Sequence, residues 1–450
     1  MAALARLIAP DAFGLMAIAL VVVGFVEIFA QVGIGPSVVH KADLTPVHLR
    51  SAFVFSLTLG VVFFAAMWLA APWIGQFYDR SELVEVLRVI SLSFILSGAA
   101  VVPRSLLVKQ MRFKQLFMSA VVAMLLGNWV LGLGLAWAGY GVWAYVAALL
   151  GQNTILGICY WLFSPVPVGW RWEGAALREM LGYGSRSTLF NVTNYAASKV
   201  DTLIVGRWGA GWTATGFYDR SVYLMGLPVT VLGKLSDSVL FSGLSALQAD
   251  REKMRMTTTA AARLMSLAVF PGAVILVACA QDITVLFLGA AYLPAVPLVQ
   301  ILFLSVPARG LIKLGDAIVR ATDTLRAALG VKVAYLIAIA ASTGGGLAAG
   351  FGLEFVAWGI VAATWLQAAA LVTLASRSTA MTWRAWWHAL RPAFGTAFLT
   401  AGAVGLFLFL MHAFGESGAL LRLVGSVVVA VGTAGGWVWR RRKDWLHLPS

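Results

Sequence analysis

The stretch NVTNYAASKVDTLIVGR, from Asn191 to Arg207, sets two Asn, a Lys, an Asp and an Arg between long apolar runs. Ser187, Asn191, Asn194, Ser198 and Asp201 follow at intervals of 4, 3, 4 and 3 residues, which on a helix draws one polar stripe. Arg186, Tyr195, Lys199 and Thr202 widen that stripe. Ionisable groups facing lipid cost several kcal/mol, so the stripe is expected to turn toward a water-filled interior cavity. For the small polar residues alone, helix–helix glue worth about 0.6–2 kcal/mol each is an equal alternative.

A second stripe repeats the rhythm. Arg309, Lys313, Asp316 and Arg320 lie 4, 3 and 4 residues apart in ARGLIKLGDAIVRATD. Arg309 is the deepest, while the last members can snorkel to an interface. Asp219 and Arg220 are neighbours in FYDRSVY, where a local ion pair is the simplest expectation. Lys234 and Asp237 sit three apart, and Glu27 stands alone in the first apolar span, as a protonatable coupling site or a neutral hydrogen-bonded acid. Cations outnumber anions in this set, and a cationic interior suits an anion such as phosphate or pyrophosphate. No GxxxxGK[ST] loop is present, so a nucleotide site of that kind is excluded. His40, His48, His388, His412 and His447 are scattered and form no metal or catalytic cluster, and no cofactor is expected. Cys159 and Cys279 fall in apolar spans and imply neither disulfide nor metal.

The elements that carry these residues are dictated by composition. Of 450 residues, 60% are hydrophobic and 12% charged, against about a quarter charged in a soluble protein. Mean hydropathy is +0.87. Apolar stretches long enough to cross a roughly 30 Å hydrocarbon core recur from end to end. The expected fold is an all-α polytopic membrane protein with 13 helices. They are placed near 13–34, 52–74, 86–103, 115–138, 141–163, 180–206, 216–243, 260–283, 295–318, 328–350, 354–376, 388–412 and 419–439. One alternating set of loops, with Arg263, Arg391 and the tail, holds 21 of 33 Lys and Arg; the opposite set holds Arg6, Arg80, Arg207 and Arg422. That asymmetry predicts a cytoplasmic C-terminus, with Trp383, Trp386, Trp387, Trp437 and Trp439 as an interfacial belt on the same side. The net charge of +14 is spread along the chain, which excludes a nucleic-acid surface.

LARLIAPDAFGLMAIALVVVGF near the start resembles VGRWGAGWTATGFYDRSVYLMGL after residue 204, with an Arg followed eight or nine residues later by Gly. A whole helix precedes the later copy and almost nothing the earlier one. An ancestral first helix is therefore expected to be missing, through truncation or a misplaced start codon.

LARLIAPDAFGLMAIALVVVGFVEIFAQVGIG, VLRVISLSFILSGAAVVPRSLLVKQMRFKQL, NYAASKVDTLIVGRWGA, TGFYDRSVYLMGLPVTVLGKLSDSVLFSGLSALQ and VPLVQILFLSVPARGLIKLGDAIVRAT resemble polysaccharide and oligosaccharide exporters. These belong to the flippase superfamily that also holds the multidrug and toxin extruders. The likeness is strongest to the branch serving colanic acid, xanthan and teichuronic acid export, and it covers most of the chain in order. It implies two six-helix lobes around a central cavity, here 1–163 and 179–376, joined by a cytoplasmic linker 164–178. An extra helix pair and basic tail would occupy 377–450. The family's DxxxIGR reads DTLIVGR here, Asp201 to Arg207, and its LFP motif reads LFS, with Ser242 in place of Pro.

By the same resemblance the substrate would be a polyprenyl-pyrophosphate oligosaccharide, flipped across the bacterial inner membrane by alternating access. Its prenyl tail would stay in lipid. Arg186, Lys199 and Arg309 would hold pyrophosphate, with Lys313 at the cytoplasmic mouth, and Asn191, Asn194 and Tyr195 would contact sugar. Asp201 would pair with a cation or couple an ion, H+ or Na+, as would Glu27, Asp219 with Arg220, and Asp316. Partners would be the lipid-linked glycan, membrane lipids and the polysaccharide polymerase and export machinery, with no nucleic acid. The rivals are a multidrug or metabolite exporter, which would prefer an acidic cavity, and a peptidoglycan-precursor flippase. A membrane polymerase or ligase needs large outer loops, and those here are short.

Overall fold

The computed structural model describes every residue except Met1, 31–33, 42, 167–172, 175–176, 178–184, 236–250, 323–324, 380, 414–417 and 446–450. Among the described residues every regular element is a helix. The chain divides into two compact units, Met1–Gly216 and Phe217–Ser450.

In the first unit α1 (Ala2–Leu7), α2 (Pro10–Ala30) and α3 (Ile34–His40) lead into α4 (Pro46–Phe77). Thr45 starts α4: its Oγ1 accepts from the His48 N–H at 3.4 Å, and His48 Nδ1 accepts from the Thr45 N–H at 3.3 Å. Pro46 follows at the first helical position, where a missing N–H costs nothing. This cap begins the helix before the 52–74 span expected from hydropathy. Next come α5 (Ser81–Ile90) and α6 (Leu92–Lys109), broken at Ser91, then α7 (Phe113–Ala123). α7 runs through a π-helical stretch, Met124–Gly132, into α8 (Leu133–Trp137), and α9 (Val142–Phe163) follows. α10 (Ser185–Trp208) closes the unit.

Lipid offers no hydrophobic drive between helices, so small residues and hydrogen bonds set the crossings. A Cβ on Gly98 of α6 would lie 2.5 Å from the Ser56 carbonyl oxygen of α4. The same α4 residue donates its hydroxyl to Gly98 O at 2.8 Å. Gly14 of α2 meets Gly216, in the first turns of α11 (Trp212–Leu235): a Cβ on Gly14 would fall 3.0 Å from Gly216 N, and one on Gly216 would fall 3.2 Å from Gly14 N. These are the two glycines that anchor the internal sequence repeat, so the repeated positions touch each other.

The second unit holds the rest of α11, then α12 (Arg251–Ala278), α13 (Ala280–Phe287), α14 (Val296–Phe303) and α15 (Val306–Ala321). It ends with α16 (Leu325–Ala348), α17 (Leu353–Thr379), α18 (Trp383–Ala413) and α19 (Ala419–Trp445). Met254, Ala262, Ala308, Leu314, Ala317, Ile318, Ala368, Ala375 and Trp386 form a buried core that joins α12, α15, α17 and α18. Trp386 is 1% exposed, whereas Trp383 and Trp387 are 56% and 57% exposed. The expected aromatic belt is therefore corrected at Trp386, which fills the core instead of marking an interface.

Ten described helices are long and apolar enough to cross a membrane, and eleven if the bent pair Ala290–Phe303 and Val306–Ala321, at 45°, counts as one span. The protein is a multi-pass membrane protein. The expected count of 13 is not reached on that measure. α10 and α11 occupy the sixth and seventh expected spans, but their polar residues keep them outside the apolar set. The bend falls at Leu304–Ser305, where Pro307 opens α15.

Candidate functional site

The first unit carries a half-open cavity of about 440 Å³ between α2, α4 and α10, within the size range of ligand pockets. Val22, Phe25, Val26, Phe29, Phe63, Met67, Ile74 and Leu203 make its wall almost wholly apolar. Among the described residues Lys199 is the one charged residue on that wall. α10 contributes Tyr195, Ala196, Lys199, Val200 and Leu203. At 100° per residue this face is centred roughly 150° from the stripe of Ser187, Asn191, Asn194, Ser198 and Asp201. The cavity of this unit thus takes Tyr195 and Lys199 from the widened stripe and leaves out Ser198, which is exposed, and Asp201, which is buried. α10 also carries Arg186, Asn191 and Asn194, whose side chains lie outside the described residues.

Tyr195 stitches α10 to α2. Its hydroxyl donates to Val21 O at 3.1 Å, and Gly24 leaves room for the phenol, since a Cβ there would collide with it. Glu27, one turn along α2, accepts from the Ser97 hydroxyl of α6 at 3.1 Å. Asp201 accepts from the Thr202 N–H at 2.8 Å. Among the described residues no hydrogen bond or ion pair reaches Lys199.

The DTLIVGR motif ends in a built corner. Arg207 pairs with Asp79 at 2.9 Å and lies over the Phe77 ring, 5.5 Å from its centroid. Beside it, burial pushes the Tyr78 phenol up to about 12, with Arg207 pulling the other way.

In the second unit Arg309 donates from Nε to Ser305 Oγ at 3.3 Å. Lys313 packs over Gly233 of α11, whose Cβ would lie 3.4 Å from the lysine Cε. Asp316 faces Lys332 of α16 at 3.8 Å, and Arg320 donates to the Asp316 carbonyl oxygen at 3.2 Å. Arg220 and Asp219 pair at 2.5 Å, and the Arg220 guanidinium lies over Tyr223 at 5.1 Å. Lys234 is exposed; Asp237 and Ser242 lie outside the described residues. Asp219 and Asp316 thus have cationic partners, while among the described residues Lys199, Arg309 and Lys313 have no carboxylate partner. Among the described residues no group of three His, Cys, Asp or Glu is placed to hold a metal.

The sequence does not mark the pairing of three charges, Lys332, Asp282 and Arg422. Lys332 sits alone in GVKVAYL and gives no periodic signal. Asp282 of α13 takes Arg422 of α19 at 2.6 Å across 140 residues of chain, and nothing local marks either as half of a pair.

An all-helical fold with ten described helices long and apolar enough to cross a membrane, and a ligand-sized cavity in its first unit, defines the class: a multi-pass membrane protein. Over 98% of the chain it superposes on the lipid II flippase MurJ in an inward closed conformation, with a TM-score of 0.77, 12% identity and 97% of that chain covered. An inward-facing multidrug resistance MATE family transporter matches at a TM-score of 0.64 with 14% identity, over 84% of this chain and 93% of that one. Residues 3–297, more than half of the chain, match the family described as polysaccharide biosynthesis protein, and the chain belongs to it. Among relatives, lipopolysaccharide biosynthesis protein WzxC of Escherichia coli K12 is 24% identical, over 67% of this chain and 61% of its own length. Teichuronic acid biosynthesis protein TuaB of Bacillus subtilis 168 is 22% identical, over 62% and 58%. Succinoglycan biosynthesis transport protein ExoT of Rhizobium meliloti 1021 is 23% identical, over 67% and 61%. The chain spans about three fifths of the length of the curated relatives it matches.

Proposed function

We propose that this protein is a flippase that moves polyprenyl-diphosphate-linked oligosaccharide repeat units across the bacterial inner membrane for cell-surface polysaccharide synthesis. The observation that carries this reading is that, among the described residues, three cations, Lys199, Arg309 and Lys313, have no carboxylate partner. A drug exporter for cationic amphiphiles would need the opposite balance, because buried like charge repels its cargo. A diphosphate presents the charge that these residues lack. Membership of the polysaccharide biosynthesis family, and the names of WzxC, TuaB and ExoT, supply the glycan.

Arg186, Lys199 and Arg309 are assigned to the diphosphate, Lys313 to the cytoplasmic mouth, and Asn191 and Asn194 to sugar. Tyr195 has its hydroxyl bonded to α2, and any sugar contact it makes adds to that role. Glu27 and Asp201 are the candidates for coupling to H+ or Na+. The C-terminus is placed in the cytoplasm, and the lobes at 1–163 and 179–376. Transport proceeds by alternating access, as in other carriers built from repeats. The polysaccharide polymerase and export machinery would take the product.

Charge reversal tests the assignment. Arg186→Glu and Arg309→Glu are each expected to abolish polymer export while the protein stays at normal abundance in the membrane. Normal export by both variants would remove the site. A second reading, a peptidoglycan-precursor flippase, draws on the match to the lipid II flippase. It requires that loss of the gene be lethal.

A further inference from the structure

From the cavity between α2, α4 and α10 we infer a binding site for the isoprenoid chain next to the diphosphate, rather than a substrate whose tail lies wholly in bulk lipid. The inference rests on the flippase reading and adds to it a place for the tail. Val22, Phe25, Phe63, Ile74 and Leu203 present branched aliphatic and aromatic surface, and among the described residues Lys199 is the one charge on the wall. A lysine among such neighbours lays its methylenes along the wall and keeps its ammonium at the rim. Among the described residues that ammonium has no partner, and an ammonium at membrane depth is costly until an anion meets it. An apolar chamber with one cation at its edge is complementary to a single chain ending in a phosphate.

The volume, about 440 Å³, suits only the short segment of one isoprenoid chain that lies next to the diphosphate. The site is also built and not a chance gap. Tyr195 holds α10 against α2 through Val21 O, and Gly24 makes the close approach possible.

The test uses the full chain in phosphatidylcholine nanodiscs. The probe is farnesyl diphosphate carrying a diazirine on its terminal isoprene, photolysed and mapped by peptide mass spectrometry. Adducts are expected on residues 21–29, 63–74 and 195–203. Unlabelled farnesyl diphosphate should compete for them, and a lysophospholipid with one saturated chain should compete far less. Ala70→Trp, which fills the chamber, should cut labelling by at least about tenfold. Lys199→Gln should cut it by a similar factor, the loss of one charge-assisted contact, and Lys199→Arg should retain it. Ala196→Phe stands in if Ala70→Trp is not monodisperse.

Adducts spread over the exposed Leu125, Leu126, Trp129, Val130 and Leu131, labelling unchanged by the filled chamber, or equal competition by the lysophospholipid would each overturn the site. The readout is separate from export. Labelling in the chamber of a protein whose loss leaves polymer intact would keep the site and remove the flippase reading. Gene-dependent polymer without such labelling would do the reverse.

Discussion

α10 and α15 carry the same rhythm of polar residues and put it to different uses. On α15 the lower stripe is satisfied inside its own unit: Asp316 faces Lys332, and Arg320 returns to the Asp316 carbonyl oxygen. On α10 the polar groups split. Tyr195 and Asp201 are tied to backbone, while Lys199 stands on an apolar cavity wall without a partner among the described residues. Sequence spacing therefore reports which residues share a face. Whether that face is structural or open to a ligand depends on what the neighbouring helices bring. α16 brings a lysine to α15; the described residues of α2 and α4 that line the cavity with Lys199 are apolar.

The largest expected effect follows from that split. Lys199→Glu should lower polymer export by more than about tenfold at unchanged thermal stability, since no partner among the described residues is lost and an anion now faces an anion. Lys332→Glu should act the other way, lowering the amount of folded protein by setting like charges together. Equal loss of export at equal stability in both variants would erase the distinction, and parallel measurement of export and Tm decides it.

A smaller effect is expected from Asp316→Asn, which removes a carboxylate 3.8 Å from the Lys332 ammonium and should cost about 1–3 kcal/mol. Asp316→Asn combined with Lys332→Met should recover much of that loss, and thermal melts of the single and double variants measure the coupling. Additive losses would mean that the pair at 3.8 Å carries no energy.

Tyr195→Phe removes one hydrogen bond between α10 and α2 and should cost about 0.5–1.5 kcal/mol with export largely kept. A severe export defect at normal stability would instead make the phenol a substrate contact. The smallest effect belongs to Glu82→Ala. Its pair with Arg80 is 67% exposed on the glutamate side, and the change in Tm should be within error.

The spans were legible because apolar runs of near-membrane length leave few alternatives, and the corner at Arg207 was marked by its motif. The start of α4 was written locally in Thr45, Pro46 and His48, a cap that hydropathy alone overlooks. Trp386 was misplaced because tryptophan suits a buried core as well as an interface, and only packing against Met254 and Ile318 tells which. The Asp282–Arg422 pair was invisible for a simpler reason. Its partners are 140 residues apart and each looks like an ordinary end-of-span charge. Gly14 and Gly216 were visible as equivalent positions of a repeat, but their mutual contact appears only once α2 and α11 are crossed. That Lys199 has no partner among the described residues was likewise beyond the sequence, because periodicity placed it beside the polar stripe and not against α2 and α4.

The central claim is that a finished lipid-linked glycan waits on this protein to cross the membrane. Lipids extracted from cells with and without the gene, analysed by mass spectrometry for polyprenyl-linked glycans, test it directly. The account predicts that loss of the gene makes the completed repeat unit accumulate on its lipid while surface polymer disappears. An unchanged lipid-linked pool with intact polymer would contradict it.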